Sequence, residues 1–207
     1  ARRCISELKM AKERKVIDHV PHFNSILNYF YDEDITPLLK RLVQITALPL
    51  QNVETDFAVD SSGFTTSIFE RWLNARTDRV EKKRHWKKCH LIIGVKSNII
   101  TSVEITDGVE ADSPHLVPLA LDTSRFFNIK EVSADKAYLS RENFTAIAEL
   151  GAIPYVPFKS NSKRNPQGSI IWSRMFDYFL HNKERFLQSY HKRSNVETAF
   201  SMIKRKF

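Results

Sequence analysis

Near the end of this 207-residue chain, Tyr190, Arg193, Glu197 and Lys204 stand at a spacing that a single helix would gather on one side. At about 100° per residue, with Tyr190 at zero, the other three fall at about 300°, 340° and 320°, an arc of about 60°. Val196, Phe200, Ile203 and Phe207 fall between about 220° and 280° on the same count, an apolar stripe able to seat the helix on a core. A carboxylate is thus presented between cations on a fixed surface. Glu197 suits a metal ion, and Arg193 and Lys204 suit phosphate. A solvated helix face with Arg193 and Glu197 as an i,i+4 pair would have the same spacing, so the meaning rests on partners elsewhere. Two aspartates qualify. Asp60 closes the apolar run of Phe57-Ala58-Val59-Asp60-Ser61-Ser62-Gly63-Phe64, and Asp135 that of Val132-Ser133-Ala134-Asp135-Lys136-Ala137-Tyr138. Taken alone, Asp60 reads equally as a turn residue and Asp135 as a strand-end cap.

The spacing Tyr-x2-Arg-x3-Glu-x6-Lys resembles the C-terminal signature of the DDE-class transposases of bacterial and archaeal insertion sequences. The stretches around Asp60 and Asp135 resemble that family's first and second acidic motifs, and the order Asp60, Asp135, Glu197 is the family's order. The resemblance covers roughly residues 50 to 207, and residues 1 to 50 carry no comparable resemblance. It implies a ribonuclease H-like fold, cleavage of DNA strands at element ends and transfer of those ends into target DNA. It also implies that Tyr190, Arg193 and Lys204 contact phosphates near the transposon end, in keeping with the forked donors of arginine and the point charge of lysine.

Three carboxylates suit this chemistry. Phosphoryl transfer on DNA needs the attacking and leaving oxygens stabilised together, and two Mg²⁺ ions about 3.5 to 4 Å apart can clamp both. Such hard cations take oxygen ligands and keep several waters, so Asp60, Asp135 and Glu197 would suffice without cysteine or histidine, and Mn²⁺ could substitute. Asp60 is expected to bridge both ions, with Asp135 completing one site and Glu197 the other. The attacking group would be water in nicking and the freed 3′-hydroxyl in joining.

The elements that must position these residues are legible in outline. Residues 1 to 50 form an N-terminal helical segment, with helices near 3 to 18, 22 to 31 and 35 to 47 punctuated by Pro21, Pro37 and Pro49. Residues 56 to 60 read as a short strand, and residues 64 to 84 as a polar, basic connection. Residues 90 to 96 and 99 to 106 read as strands joined by a Ser97-Asn98 hairpin. Asp112 or Ser113 caps a helix with Pro114 in its first turn, running to about Phe126. A buried-type strand at 131 to 134, a helix at 141 to 150 closed by Gly151 and a strand at 153 to 157 follow. A loop spans 159 to 168, and the remainder from about Ile171 is helical, broken near Ser189. Three strands, then alternating helix and strand, then a terminal helix, is the order of an α/β ribonuclease H-like fold, a mixed sheet flanked by helices, here over residues 51 to 207. That order would bring residues 75 and 62 positions apart to one sheet edge.

Net charge is +8, and residues 151 to 207 alone, with eleven Lys and Arg against three acids, carry the whole excess. A polyanion is therefore the expected partner, and by the resemblance double-stranded DNA, both element terminal repeats and target. The helical N-terminal segment could contact DNA or pair into a homodimer, but no turn marks a helix-turn-helix, so a plain helical flank is the preferred reading. No apolar run approaches the roughly 18 residues of a membrane span. Two cysteines, Cys4 and Cys89, make no disulfide framework, which fits a reducing cytoplasm, and the resemblance implies association with the nucleoid of a prokaryote. His85, Cys89 and His90 invite a zinc reading, but no second ligand pair follows, and neighbours on a strand point to opposite faces. By the resemblance, Asp112 and His115 sit where the family often carries a polar pair, but capping suffices for Asp112 and neither is counted as catalytic. Lys136 and Tyr138 flank Asp135 and could touch DNA. Trp72, Trp86 and Trp172 are expected in packing rather than base stacking. The chain starts without Met and stops three residues after Lys204, so a fragment of a longer protein is expected. Two rival functions use similar residues: another ribonuclease H-like nuclease, which need not carry the Tyr, Arg and Lys companions of Glu197, and an inactive DNA-binding transposase remnant.

Overall fold

The computed structural model describes residues 2–32, 34–65 and 86–206, and the chain divides into two compact units, Ala1–Leu42 and Val43–Phe207. Most of the basic connection expected over 64 to 84 lies outside the described residues, as do Trp72 and His85.

The first unit is helical. Helix α1 (Arg2–Glu13) stops short of the expected residue 18 because Lys15 turns left-handed at φ 58°. The Val16 and Lys15 amides then bond back to Ala11 O and Lys12 O, each at 2.9 Å, which closes the helix end. In α2 (Phe23–Phe30) the imidazole of His22 caps the first turn, Nδ1 accepting from the Asn24 amide at 3.3 Å. Helix α3 spans Ile35–Ala47, and its residues from Val43 on belong to the second unit.

The second unit is built on five strands, β1 (Asp56–Thr65), β2 (Trp86–Gly94), β3 (Ile100–Asp107), β4 (Glu131–Ala134) and β5 (Ile153–Tyr155). Their order in the sheet is β3-β2-β1-β4-β5, with β2 antiparallel to both neighbours and β4 parallel to both of its own. Helices α4 (Leu116–Ser124), α5 (Arg141–Glu149), α6 (Ile170–His181), α7 (Lys183–His191) and α8 (Ser194–Lys206) flank this mixed sheet. The architecture is the expected α/β, ribonuclease H-like one.

The period-two alternation of the strands sorts the two faces. Phe57, Val59, Ile92, Val132 and Ala134 enter the main core with Leu116, Phe144, Ile147, Trp172 and Phe186 of α4 to α7. Ala58, Leu91 and Ile93 form a second, smaller core with Val196, Ala199 and Phe200 of α8. The last helix therefore lies on a face of its own.

Several boundaries differ from the sequence reading, each for a local reason. β1 does not end at Asp60 but continues to Thr65, because residues 60 to 65 keep pairing with β2, down to Thr65 opposite Trp86. β2 accordingly starts at Trp86 rather than at residue 90. The hairpin lies where expected, with Asn98 in the left-handed region at φ 59°, which asparagine tolerates. Buried Glu54 accepts the amides of Lys96 and Ser97 at 3.1 and 2.6 Å and fixes this turn. A Cβ at neighbouring Gly94 would fall 2.4 Å from the Glu54 carboxyl carbon, so that position needs glycine. Gly151, at φ 80°, closes α5 as anticipated. The C-terminal helical region is three helices, interrupted at Asn182 and again at Lys192 and Arg193 rather than near Ser189.

Candidate active site

Two parallel strands bring the aspartates side by side. β1 and β4 pair from Asp56 opposite Glu131 to Val59 opposite Ala134, and there β4 ends. Asp60 and Asp135 are the next residues on each strand, at the point where β1 keeps one neighbour and loses the other. Alternation turns Asp60 to the face of Ala58, the face covered by α8. Its Oδ1 accepts the Ser61 amide at 2.8 Å. Asp135 also caps the short 3₁₀ turn Lys136–Tyr138, its Oδ1 accepting the Lys136 amide at 2.6 Å, so the cap reading of Asp135 is correct as far as that oxygen goes.

Helix α8 supplies the rest. Val196, Ala199 and Phe200 press it onto the sheet, which leaves Glu197 in its first turn, with 60% of its side chain exposed, where a carboxylate also suits the helix dipole. Arg193, just before the helix, forks between two carboxylates. Its Nη1 donates to Asp60 Oδ2 at 2.5 Å and its Nη2 to Glu197 Oε1 at 2.7 Å. Two turns along α8, Lys204 Nζ donates to Ser62 Oγ at 2.7 Å and lies 5.2 Å from the centre of the Phe64 ring. Asp60, Ser62, Glu197, Phe200 and Lys204 line an open groove of about 430 Å³, in which Asp135 takes no part.

The single-helix placing of Tyr190 does not hold. Tyr190 sits in the last turn of α7, and the chain breaks at Lys192 and Arg193 before α8 begins. The Ser194 hydroxyl and the Asn195 amide group donate to the carbonyls of His191 and Lys192, so these side chains compete with the helical ladder. Lys192 is also drawn aside, its Nζ 2.6 Å from both Asp56 Oδ2 and Glu131 Oε2. Tyr190 still meets the site, because Arg193 Cζ lies 6.0 Å from the centre of its ring.

Electrostatics ties the group together. Burial raises the pKa of Asp60. The Ser61 amide and Arg193 pull it back, while the charges of Asp135 and Glu197 push it up, so the three carboxylates share one field. Burial works against the charge of Arg193, and Asp60, Tyr190 and Glu197 more than restore it, holding the guanidinium above its usual value. Among the described residues no three His, Cys, Asp or Glu side chains are gathered closely enough to hold a metal ion, and between Asp60 and Glu197 a guanidinium lies instead. The donor set itself, three carboxylates with no thiolate or imidazole, fits a hard divalent cation.

Sequence reasoning missed a polar cluster beside Asp60. Asp112 is not a side-chain cap; its Oδ1 accepts from the Ser61 hydroxyl and from Lys88 Nζ, both at 3.0 Å. Buried His90 places Nδ1 3.3 Å from the Tyr138 hydroxyl and Nε2 3.0 Å from Thr106 Oγ1, and its ring stacks on His115 at 4.4 Å. His115 in turn lies 2.8 Å from Glu104 Oε2. The paired serines after Asp60 and the polar residues Asp112 and His115 were the available signals, and the sequence states no register that would join them to His90 and Lys88. Tyr138 is wholly buried, which removes it from DNA contact, whereas Lys136 is exposed. Cys89 and His90 do face opposite sides of β2, Cys89 toward α8 and His90 toward Tyr138. Trp172 packs in the core and Trp86 is 45% exposed.

No helix among the described residues is long and apolar enough to cross a membrane. No curated protein matches the chain. The family model of the transposase DDE domain, in contrast, matches residues 51–207, a span that takes in Asp60, Asp135, Glu197 and every strand of the sheet. Fold and match agree, and the chain belongs to the family of transposases with a DDE domain.

Proposed function

We propose that this transposase cleaves DNA strands at the ends of its element and transfers them into target DNA by metal-dependent phosphoryl transfer, with Asp60, Asp135 and Glu197 as the metal-holding carboxylates. The observation that carries this reading is the convergence of Asp60 and Glu197 on one guanidinium at the end of the β1–β4 pairing, beside Asp135. Bound Mg²⁺, in two ions or Mn²⁺ in their place, would supply positive charge to the attacking and leaving oxygens together. Arg193, Lys204 and Tyr190 bind the DNA backbone, arginine by its fork and lysine as a point charge, and so set the scissile phosphate over the groove. The nucleophile is water in cleavage and the freed 3′-hydroxyl in joining. Residues 51 to 207 act as the catalytic domain, preceded by the helical residues 1 to 50, which could contact DNA or pair two copies into a homodimer but which read first as a plain helical flank.

The test is Mg²⁺- or Mn²⁺-dependent nicking of a labelled element end by the full chain. The parent should cut, and Glu197→Gln should not. If Glu197→Gln cuts as well as the parent, Glu197 is no ligand and α8 serves DNA contact alone.

A further inference from the structure

We propose that Arg193 is the built-in counter-cation of the carboxylate site, a positioning residue that opposes metal binding in the free protein and passes to a DNA phosphate when metal binds. The inference rests on the metal-dependent reading above and assigns Arg193 a role besides phosphate contact.

The geometry is that of an occupied site. Each terminal nitrogen of Arg193 serves a different carboxylate, Asp60 at 2.5 Å and Glu197 at 2.7 Å, so the planar fork spans the two groups that a metal ion would have to share. The pairing is intramolecular and costs little to form, because Lys192 next door is itself pinned to Asp56 and Glu131. Yet one guanidinium balances only one of the three negative charges of Asp60, Asp135 and Glu197. A divalent cation entering from the groove offers more charge but must take oxygens that Arg193 holds. The displaced guanidinium would then face the groove that Lys204 also lines, where a backbone phosphate can accept its fork. Metal takes the carboxylates and phosphate takes the arginine. Each ligand removes the competitor of the other, so their binding must be mutually favourable, by the same factor in either order.

The experiment is a Mn²⁺ titration of the full chain, read from the paramagnetic resonance signal of free Mn²⁺, with and without a short random-sequence DNA duplex. Phosphate contact needs no particular sequence, so this duplex suffices as the probe. Without DNA, Arg193→Gln should bind Mn²⁺ at least about fivefold more tightly than the parent, the lower end of usual coupling between linked sites. Adding the duplex should tighten Mn²⁺ binding to the parent by a similar factor and leave Arg193→Gln unchanged. Arg193→Lys keeps the charge but cannot span both carboxylates. It should fall between the two, and it decides the matter if Arg193→Gln melts below the assay temperature. Equal or weaker Mn²⁺ binding by Arg193→Gln, with Asp60→Asn abolishing binding, overturns the counter-cation role and leaves the metal-dependent reading standing. A DNA effect on Mn²⁺ that survives in Arg193→Gln overturns it as well. If neither the parent nor Arg193→Gln binds Mn²⁺ better than Asp60→Asn does, the metal-dependent reading falls and takes this inference with it.

Discussion

Replacing Lys192 by methionine should destabilise the second unit by about 3 kcal/mol, although this lysine touches no expected catalytic group. Asp56 and Glu131 open β1 and β4 and stand directly opposite each other in the parallel register, so two carboxylates share one strip of sheet. Lys192 Nζ lies 2.6 Å from an oxygen of each. Burial disfavours its charge, but the bonds to Asp56 and Glu131 outweigh that and hold its pKa above the usual lysine value. The three side chains are 22% to 31% exposed, so each charge-assisted bond belongs at the low end of its range, about 1.5 kcal/mol, and two are lost. Methionine keeps the stem packing, which isolates the charge. Urea unfolding is the assay, and the cost should shrink in high salt and in an Asp56→Asn background, where only one carboxylate is left unpaired. A loss below about 0.5 kcal/mol in low salt would refute the argument, since it would make the triad an ordinary surface contact.

Changing Lys204 to alanine should weaken DNA binding and lower the slope of log affinity against log salt by about one, as for a single lost phosphate contact; a filter-binding series in salt reads both. Burial lifts the Cys89 thiol to about 11, so an aromatic disulfide reagent should titrate one thiol quickly, exposed Cys4, and Cys89 only after unfolding. Burial, with His115 next, lowers the pKa of His90, so the folded state disfavours its protonated form and stability falls as pH drops below the ordinary histidine value of 6.5. The slope this one group can contribute is at most about 1.4 kcal/mol per pH unit, and His90→Gln should flatten the fall in melting temperature between pH 7.5 and about 5.5.

The elements that carry the three acidic residues were legible because their patterns are strong, although Asp60 lies within β1 rather than at its end. Apolar runs before Asp60 and Asp135 announce strands, and the stripe Val196, Phe200, Ile203, Phe207 announces the helix that carries Glu197. What the sequence hid is register and interruption. Nothing local states that β1 pairs with β2 for five residues beyond Asp60, which is what puts Ser61 against Asp112 and Ser62 against Lys204. Helical periodicity likewise ran through Lys192, because the pull of Asp56 and Glu131 on that residue comes from 136 and 61 positions away. Asp112 has the residue type and position of a cap, and only its distant partners reveal another use. The counterion role of Arg193 was half visible as an i,i+4 pair with Glu197; its second partner, Asp60, lies 133 residues away and could not be read from spacing.

The central claim is that Asp60, Asp135 and Glu197 act as one metal-holding unit, and the most direct measurement is a mutant cycle on strand cleavage. Asp60→Asn, Asp135→Asn and Glu197→Gln, singly and all together, would be assayed for Mn²⁺-dependent nicking of an element end, with metal-free binding of the same DNA measured alongside. Each substitution keeps nearly the same shape and removes one anion. The account predicts that every single change abolishes cleavage about as fully as the triple change, because residues acting as a unit are strongly non-additive. DNA binding should stay intact or tighten as repulsion from the phosphates falls. Asp135 is the sharpest arm, since it follows the end of the neighbouring strand and lies outside the groove that Asp60 and Glu197 line. Independent, additive losses, or an Asp135→Asn protein that cuts like the parent, would contradict the account.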